Sequence, residues 1–176
     1  EFRAGLAEVV KAAVIADAGL FARIEATTFD ALRSDTDLLT DAVSASIRVK
    51  ADIVERDERE SGDRSKLNLG HTLAHAIEKC TNRLNHGEAV AVGTALIADA
   101  SVKLGVLAAE DRDRIAGVLK KLGFDLTPPV DVKRLLKEVD KDKKNKDGML
   151  RIVVPVGIGD CEVRRMSHDE FAALFA

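Results

Sequence analysis

The chain has 176 residues, 46% of them hydrophobic, and a formal net charge of −3. This is enough apolar material for one compact domain or for a large part of a two-domain enzyme. The mild acidity, with no basic stripe or aromatic platform, argues against a nucleic-acid partner, and the lysine-rich run Lys141–Lys146 is typical of a solvated loop. No stretch has transmembrane length and no signal peptide is recognisable, so we expect no membrane partner. Cys80 and Cys161 lack CxxC spacing and are interpreted as core thiols of a cytoplasmic protein.

Most of the chain is predicted to be helical, because its apolar residues recur at helical spacing. The predicted helical segments are Leu6–Leu20, a segment capped by Thr27 or Thr28 and reaching Leu32, Leu38–Arg56, Leu69–Lys79, Gly87–Leu104 and Glu110–Leu122. The segment Gly87–Leu104 is rich in alanine and nearly free of charge, which indicates a buried central helix. The polar, glycine-interrupted segment Asp57–Arg64 is predicted to be a loop.

The pattern changes after Pro128 and Pro129, which force an extended break. A short helix is predicted near Val132–Glu138, and then two β-branched segments follow, Leu150–Val156 and Cys161–Arg165, which the glycine-containing run between them joins into a hairpin. Ser167 and Glu170 form a capping box that opens a last helix. We therefore expect a mainly α, multi-helical domain with a small β-hairpin near the C-terminus. A dinucleotide fold is not expected, since the chain has no βαβ repeat and no GxGxxG run.

Three of the four histidines, His71, His75 and His86, are close together in the sequence. His71 and His75 are four residues apart and share one helix face, and His86 is predicted at the head of the next helix. Imidazole is a common zinc ligand, and a catalytic zinc typically has three protein ligands. The cluster therefore indicates either a metal site or a set of helix-terminal histidines bonded to the backbone. The HExxH pattern of zinc proteases is excluded, because no glutamate follows His71.

Two groups of charged or polar residues are further candidates for a site. Glu8 and Lys11 share a helix face and are either a surface ion pair or, because apolar residues flank them, a partly buried pair. Arg64 is suited to binding a phosphate or carboxylate through two parallel hydrogen bonds, and Asn68 offers both a donor and an acceptor. The alternative for the second group is a charged loop that binds no ligand.

Four runs of the sequence together carry a family resemblance. They are Gly5–Lys11, then Lys50 with Asp57–Gly62, Arg64 and Leu67–Glu78, then His86–Gly93, and finally Asp142–Lys144 with Gly148 and Arg151. In this order they strongly resemble the signatures of the 3-dehydroquinate synthases, members of the sugar-phosphate cyclase superfamily. The chain departs from the family pattern at Ala74, where glycine is usual, and at Leu69, where an aromatic residue is frequent. The extra methyl group of Ala74 is expected to tighten packing and could narrow the pocket slightly.

The resemblance implies a role for each matched position. Glu8, His71 and His86 are implied to hold one zinc or cobalt ion. The catalytic residues are implied to be His75, in proton transfer and substrate contact rather than at the metal, with Glu60 and Lys11. The implied substrate-binding residues are Lys11, Lys50, Arg64, Asn68, His75 and Lys144, with Lys143 as the alternative to Lys144.

The resemblance also implies the reaction. The family consists of NAD- and zinc-dependent, cyclising carbon–oxygen lyases of the shikimate pathway of aromatic amino acid biosynthesis. They convert 3-deoxy-D-arabino-heptulosonate 7-phosphate to 3-dehydroquinate and release phosphate. Residues 1–176 correspond to the helical metal- and substrate-binding domain, and NAD is bound mainly by an N-terminal domain absent from this chain. We therefore expect this chain, which begins at Glu1 without an initiator Met, to be part of a longer protein and inactive alone; the resemblance also admits a homodimer.

Other functions remain as alternatives. A cyclase that makes amino-dehydroquinate, 2-deoxy-scyllo-inosose or a valiolone is the nearest alternative. Arg64 and Asn68 favour a substrate with a carboxylate, which the amino variant also has. A metal-dependent alcohol dehydrogenase is disfavoured, because the order Glu8, His71, His86 does not fit its usual ligands. The last alternative is a non-catalytic helical module that has kept the motifs.

Overall fold

The computed structural model describes residues 1–58, 62–141 and 148–176. Its helices are α1 (Phe2–Ala16), α2 (Ala18–Glu25), α3 (Phe29–Ser34), α4 (Thr36–Arg56), α5 (His71–Cys80), α6 (His86–Lys103), α7 (Ala109–Lys121), α8 (Val132–Lys141) and α9 (His168–Ala173). A 3-10 helix covers Asp63–Asn68, and the strands β1 (Met149–Gly157) and β2 (Asp160–Ser167) precede α9. The predicted mainly α fold with a hairpin near the C-terminus is confirmed.

The first predicted helix is wrong at its C-terminal end. A single helix was expected over Leu6–Leu20, but the chain breaks at Asp17, whose backbone φ is −142°. The Asp17 carboxylate accepts a hydrogen bond of 2.7 Å from the backbone N–H of Leu20, so Asp17 caps a second helix instead of continuing the first. Apolar spacing alone does not predict this break, because the apolar residues of the two helices also fit the periodicity of one continuous helix.

The core is built around α6, as its apolar sequence predicts. This helix contacts α1, α5, α7 and β1, and Ala89, Val90 and Val92 in it are fully buried. Burial of a valine side chain stabilises a fold by roughly 1.5–3 kcal/mol. A helix that is apolar on all sides must lie inside the domain, so α6 is the element against which α1 and α5 are placed.

The hairpin packs against the junction of α1 and α2. Its strands are antiparallel, with Met149 opposite Ser167. The turn contains Gly159 at φ +88°, and the Gly159 N–H donates to the carbonyl of Val14 at 3.0 Å. Ser167 and Glu170 form the predicted capping box of α9.

The remaining expectations concern the cysteines and membrane association. Both cysteines are free thiols; Cys161 is buried as expected, whereas Cys80 is only half-buried. Across the described residues, no helix has the length and apolar character that crossing a membrane requires.

Candidate metal and substrate site

Three elements bring the candidate ligands to one place. Glu8 lies on α1, where its neighbours Ala7 and Val9 point into the core and fix that face of the helix. His71 is the first residue of α5, which begins after Gly70 in the left-handed conformation (φ +76°). His86 is the first residue of α6, which begins with a capping box between Asn85 and Glu88. Both histidines therefore project from helix starts, as the sequence predicted for His86.

The ligand atoms of Glu8, His71 and His86 all lie within 4.8 Å of one another. Glu8 Oε1 is 3.8 Å from His71 Nε2 and 3.8 Å from His86 Nε2. These distances are too long for hydrogen bonds, but ligand atoms that lie ~2.1 Å from a tetrahedral zinc are themselves ~3.4 Å apart. Glu8 Oε1 is also a buried oxygen without a hydrogen-bond partner among the described residues. The three residues therefore fit a divalent metal ion.

Both imidazoles are held in the orientation that metal binding needs. His71 Nδ1 lies 3.1 Å from the carbonyl oxygen of Leu69, and His86 Nδ1 lies 2.9 Å from Glu78 Oε1. A proton on each Nδ1 satisfies these acceptors and leaves the Nε2 lone pair facing Glu8. Metal-bound histidines characteristically donate their second N–H to a carbonyl or carboxylate in this way.

The open side of the cluster faces solvent. The side chains of His86 and Glu8 are 50% and 39% exposed, whereas that of His71 is 14% exposed. A metal held here by three protein ligands would keep one position for water or substrate, and the exposure of Glu8 and His86 would let either approach from solvent.

His75 lies beside the three candidate ligands but is not one of them. Its ring centroid is 5.6 Å from that of His71 and 6.5 Å from that of His86. The cluster that the sequence indicated therefore exists, but within the described residues the group able to hold a metal contains Glu8 in place of His75. His75 is exposed, so it is free to meet a ligand that approaches from solvent.

Lys11 is the buried cation of the site. Its side chain is 8% exposed, and its Nζ lies 2.7 Å from Glu8 Oε2, so the pair is the partly buried one that the flanking residues suggested. Burial lowers the pKa of Lys11, the Glu8 carboxylate raises it, and the nearby charge of Lys50 lowers it; burial prevails and the pKa is lowered. Lys50 on α4 is exposed and places a second ammonium group near this pair.

The charges around the site favour the ligand forms of Glu8 and His71. Burial raises the pKa of Glu8, but the attraction of Lys11, of His71 and of His86 outweighs it, and the pKa is lowered. Burial and the Lys11 ammonium lower the pKa of His71 against the opposing effects of the Leu69 carbonyl and Glu8. At neutral pH, Glu8 is therefore a carboxylate and His71 a neutral imidazole, which are the forms that bind a metal.

Arg64 and Asn68 lie on the segment that leads into α5. The buried carboxylate of Asp57 accepts from the backbone N–H groups of Gly62 and Arg64, at 2.7 and 3.0 Å. The predicted loop is wrong at its end, because Asp63 and Arg64 belong to the 3-10 helix, and residues 59–61 of it lie outside the described residues. Arg64 Nη1 donates to the carbonyl of Glu58 at 3.1 Å, which leaves other guanidinium donors for a ligand. Asn68 is exposed at the end of the 3-10 helix.

Three of the predicted site residues, Glu60, Lys143 and Lys144, lie outside the described residues. Ala74, where the family usually has glycine, is fully buried. Its methyl group therefore lies in the core, as tighter packing requires, and not on the exposed face of α5 that carries His75.

Sequence reasoning missed Glu78 and the caps that precede the histidines. Glu78 is eight residues before His86, and only the fold of the intervening turn brings its carboxylate to the imidazole. A local signal did exist for Asn85, because asparagine followed three residues later by glutamate is typical of a helix start.

A family model described as 3-dehydroquinate synthase C-terminal matches residues 5–145. The chain belongs to the 3-dehydroquinate synthase family. It is 43% identical over 166 residues to a 3-dehydroquinate synthase of Nitrosospira multiformis, covering 93% of this chain and 45% of the relative. It is 41% identical over 177 residues to that of Pelobacter propionicus, covering 99% of this chain and 49% of the relative. The chain thus spans about half the length of these relatives.

Two solved structures share the fold. One is 2-epi-5-epi-valiolone synthase from Streptomyces hygroscopicus with NAD+ and Zn2+ bound, with a TM-score of 0.85 and 23% identity over 98% of this chain and 49% of that chain. The other is 2-deoxy-scyllo-inosose synthase with carbaglucose-6-phosphate, NAD+ and Co2+, with a TM-score of 0.78 and 22% identity over 98% of this chain and 50% of that chain. Identities this low indicate a common fold and do not assign a substrate.

Proposed function

We propose that this chain is the metal- and substrate-binding part of a 3-dehydroquinate synthase, a cyclising carbon–oxygen lyase. The complete enzyme would convert 3-deoxy-D-arabino-heptulosonate 7-phosphate to 3-dehydroquinate with release of phosphate, in the cytoplasm. The observation that carries the proposal is the convergence of Glu8 Oε1 with two imidazole Nε2 atoms, each 3.8 Å away. The family relationship supplies the reaction, and the geometry supplies a centre suited to it.

Glu8, His71 and His86 would hold a zinc or cobalt ion. Bound there, the ion would supply a Lewis acid that lowers the pKa of the substrate hydroxyl groups. The cyclase structures that share the fold contain Zn2+ or Co2+, which supports a divalent metal in the proposed centre. The exposed side of the cluster offers the substrate a direct approach.

The residues around the centre would bind and orient an anionic substrate. The ammonium groups of Lys11 and Lys50 lie on the Glu8 side of the cluster and attract phosphate or carboxylate groups. Arg64 and Asn68 would bind the carboxylate, and Lys144, with Lys143 as the alternative, would also contact the substrate. These contacts would position the substrate, and correct positioning can by itself contribute several kcal/mol to lowering the reaction barrier.

His75 would take a proton from a substrate hydroxyl group. It stands next to the candidate ligands, with its ring 5.6 Å from that of His71, and an imidazole is suited to proton transfer near neutral pH. Glu60 would relay the proton, and Lys11 would assist by holding the Glu8 carboxylate in place.

We assign NAD to a separate N-terminal domain of the complete protein, for which the family resemblance also admits a homodimer. The relatives are about twice as long as this chain, and both cyclase structures contain NAD+. We therefore expect residues 1–176 alone to bind zinc but not to turn over substrate.

One experiment tests the metal site and the expected inactivity together. Zinc binding is measured by competition with a chromophoric chelator, and phosphate release is measured with NAD, zinc and substrate added. We expect binding with one zinc per chain and no turnover. Absence of zinc binding would refute the proposed centre, whereas robust phosphate release would refute the assignment of NAD to another domain.

A second candidate is another cyclase of the superfamily, since the two structures described above are such enzymes. The relatives with higher identity, at 41–43%, are 3-dehydroquinate synthases, which favours the first candidate. Identification of the product made by the complete enzyme separates the two, because 3-dehydroquinate carries a carboxylate and 2-deoxy-scyllo-inosose does not.

A further inference from the structure

Gly87 stands beside His86, at the point where α6 crosses α1. A Cβ atom built on Gly87 would lie 2.3 Å from the carbonyl oxygen of Ala4 and 2.4 Å from its Cα. These are backbone atoms, so no side-chain rotation can relieve the contact. Ala4 precedes Glu8 by one helical turn. The backbones of the two helices therefore approach closely beside His86 on α6 and one turn from Glu8 on α1.

Gly93 occupies the equivalent place between α6 and α5. It is seven residues after His86 and so lies on the same face of α6, two turns along. A Cβ atom on Gly93 would lie 2.3 Å from the carbonyl oxygen of Gly70, the residue before His71. In turn, a Cβ atom on Gly70 would lie 2.6 Å from Thr94 Oγ1. The backbones of Gly93 and Gly70 are therefore in close contact directly beside His71, the second candidate ligand.

We propose that Gly87 and Gly93 are positioning residues for the metal centre. Gly87 sets the separation between Glu8 and His86, and Gly93 sets the separation between His71 and His86. Helix α6 thus carries one ligand itself and is the surface against which the helices of the other two are placed. This inference rests on the proposed function, because it requires that the three side chains bind a metal.

The size of the expected displacement supports this role. Ordinary van der Waals contact begins near 3.4 Å, so an added methyl group at either glycine must push the facing backbone away by about 1 Å. Metal–ligand distances are held within ~0.2 Å of their preferred values. The displacement exceeds this tolerance several-fold, and it acts within one turn of a ligand. Because alanine favours helix more than glycine does, α6 itself should remain helical.

The chain contains matched control glycines. Gly5 is on α1, the helix that carries Glu8, and Gly117 is in the middle of α7. Apart from the backbone of its own helix, a Cβ atom on either would meet no atom of the described residues within 4 Å. Gly5→Ala and Gly117→Ala therefore make the same chemical change in a helix without a backbone contact.

The first measurement is the zinc affinity of each variant, from competition with a chromophoric chelator. Circular dichroism and urea unfolding are recorded in parallel on the metal-free protein. We expect Gly87→Ala and Gly93→Ala to weaken zinc binding at least tenfold while they keep their helical content. The two control variants should stay within twofold of the original chain.

A double-mutant cycle separates positioning from general damage. In a Glu8→Gln background the side chain that Gly87 positions is already impaired, so Gly87→Ala should weaken metal binding little further. Gly93→Ala acts through His71 and should weaken binding in both backgrounds. Cu2+ is used beside Zn2+, because its higher affinity for nitrogen ligands keeps the weakened centres measurable.

Each remaining outcome counts against the inference in a distinct way. Unchanged zinc affinity in both glycine variants overturns it while the proposed metal centre stands. An equal loss for Gly87→Ala in both backgrounds, or loss of cooperative unfolding, overturns it because the glycine would then serve folding alone. If the original chain binds no zinc, the proposed function itself fails.

Discussion

Glu78 is predicted to strengthen metal binding although it is not a ligand. Its Oε1 lies 2.9 Å from His86 Nδ1, so the carboxylate accepts the imidazole proton and turns Nε2 towards Glu8. Loss of such an outer partner typically weakens metal binding 10- to 100-fold, which corresponds to ~1.4–2.7 kcal/mol. The Glu78 side chain is 35% exposed, and solvent can replace part of its effect. We therefore expect Glu78→Ala to fall at the lower end, near tenfold.

The assay is zinc competition with a chromophoric chelator at constant pH and ionic strength. Glu78→Gln keeps an acceptor oxygen without the charge, so its affinity should fall between those of the original chain and Glu78→Ala. Glu110→Ala removes an exposed glutamate from α7 and is the matched control, for which we expect no change. Equal affinities of Glu78→Ala and the control would refute the idea that this carboxylate orients His86.

Three further predictions concern the ligand, the thiols and the packing of α7. Glu8→Gln should weaken zinc binding beyond the ~100-fold range of an outer partner, as measured by the same competition. Burial raises the pKa of Cys161 to about 12, so in the folded chain a thiol reagent at pH 8 should modify Cys80 but not Cys161. Arg114→Ala should lower the free energy of unfolding by about 1 kcal/mol, because Arg114 makes two hydrogen bonds to Glu25, of 2.9 and 2.8 Å, at a half-exposed site; urea unfolding measures this.

Each of these has a clear contrary result. Zinc affinity that survives Glu8→Gln would remove α1 from the centre. Two reactive thiols before unfolding would contradict the burial of Cys161, since two are expected only after denaturant is added. Among the described residues, Arg112 pairs with Asp99 on α6 and with Asp113 on α7. If Arg112→Ala lowers the free energy of unfolding as much as Arg114→Ala does, the contact between α2 and α7 contributes no more to stability than the ion pairs of Arg112.

The helical fold was predictable because its cause is local. The apolar residues of α6 recur all round the helix, and the capping box before α9 is visible in four consecutive residues. The break at Asp17 was not predictable from apolar spacing, because the residues on both sides of it are compatible with one continuous helix. The break depends instead on the Asp17 carboxylate, which caps α2. Helix ends depend on such single hydrogen bonds, and hydrophobic periodicity does not report them.

The candidate site was only partly predictable from residue types. Three nearby histidines indicated a cluster, and the structure does place them together. Spacing alone suggested His75 as a possible ligand, because it shares a helix face with His71. Among the described residues, the group that could hold a metal instead contains Glu8, which is sixty-three residues before His71. The residue pattern marked Glu8 only as half of a possible ion pair with Lys11, and its role as a metal ligand came from the family resemblance, since a contact between α1 and α5 has no local signal.

The two carboxylate oxygens of Glu8 have different surroundings, and this difference links the stability of the chain to metal binding. Oε2 pairs with buried Lys11 at 2.7 Å, and Oε1 is a buried acceptor with no donor among the described residues. An unsatisfied buried acceptor costs ~1–3 kcal/mol, so the site weakens the metal-free fold. A cation at Oε1 removes that cost, and at 100 times its dissociation constant it stabilises the fold by ~2.7 kcal/mol in total, a figure that includes the removed cost. The features that leave this oxygen unpaired among the described residues are therefore the ones that suit it to bind a metal.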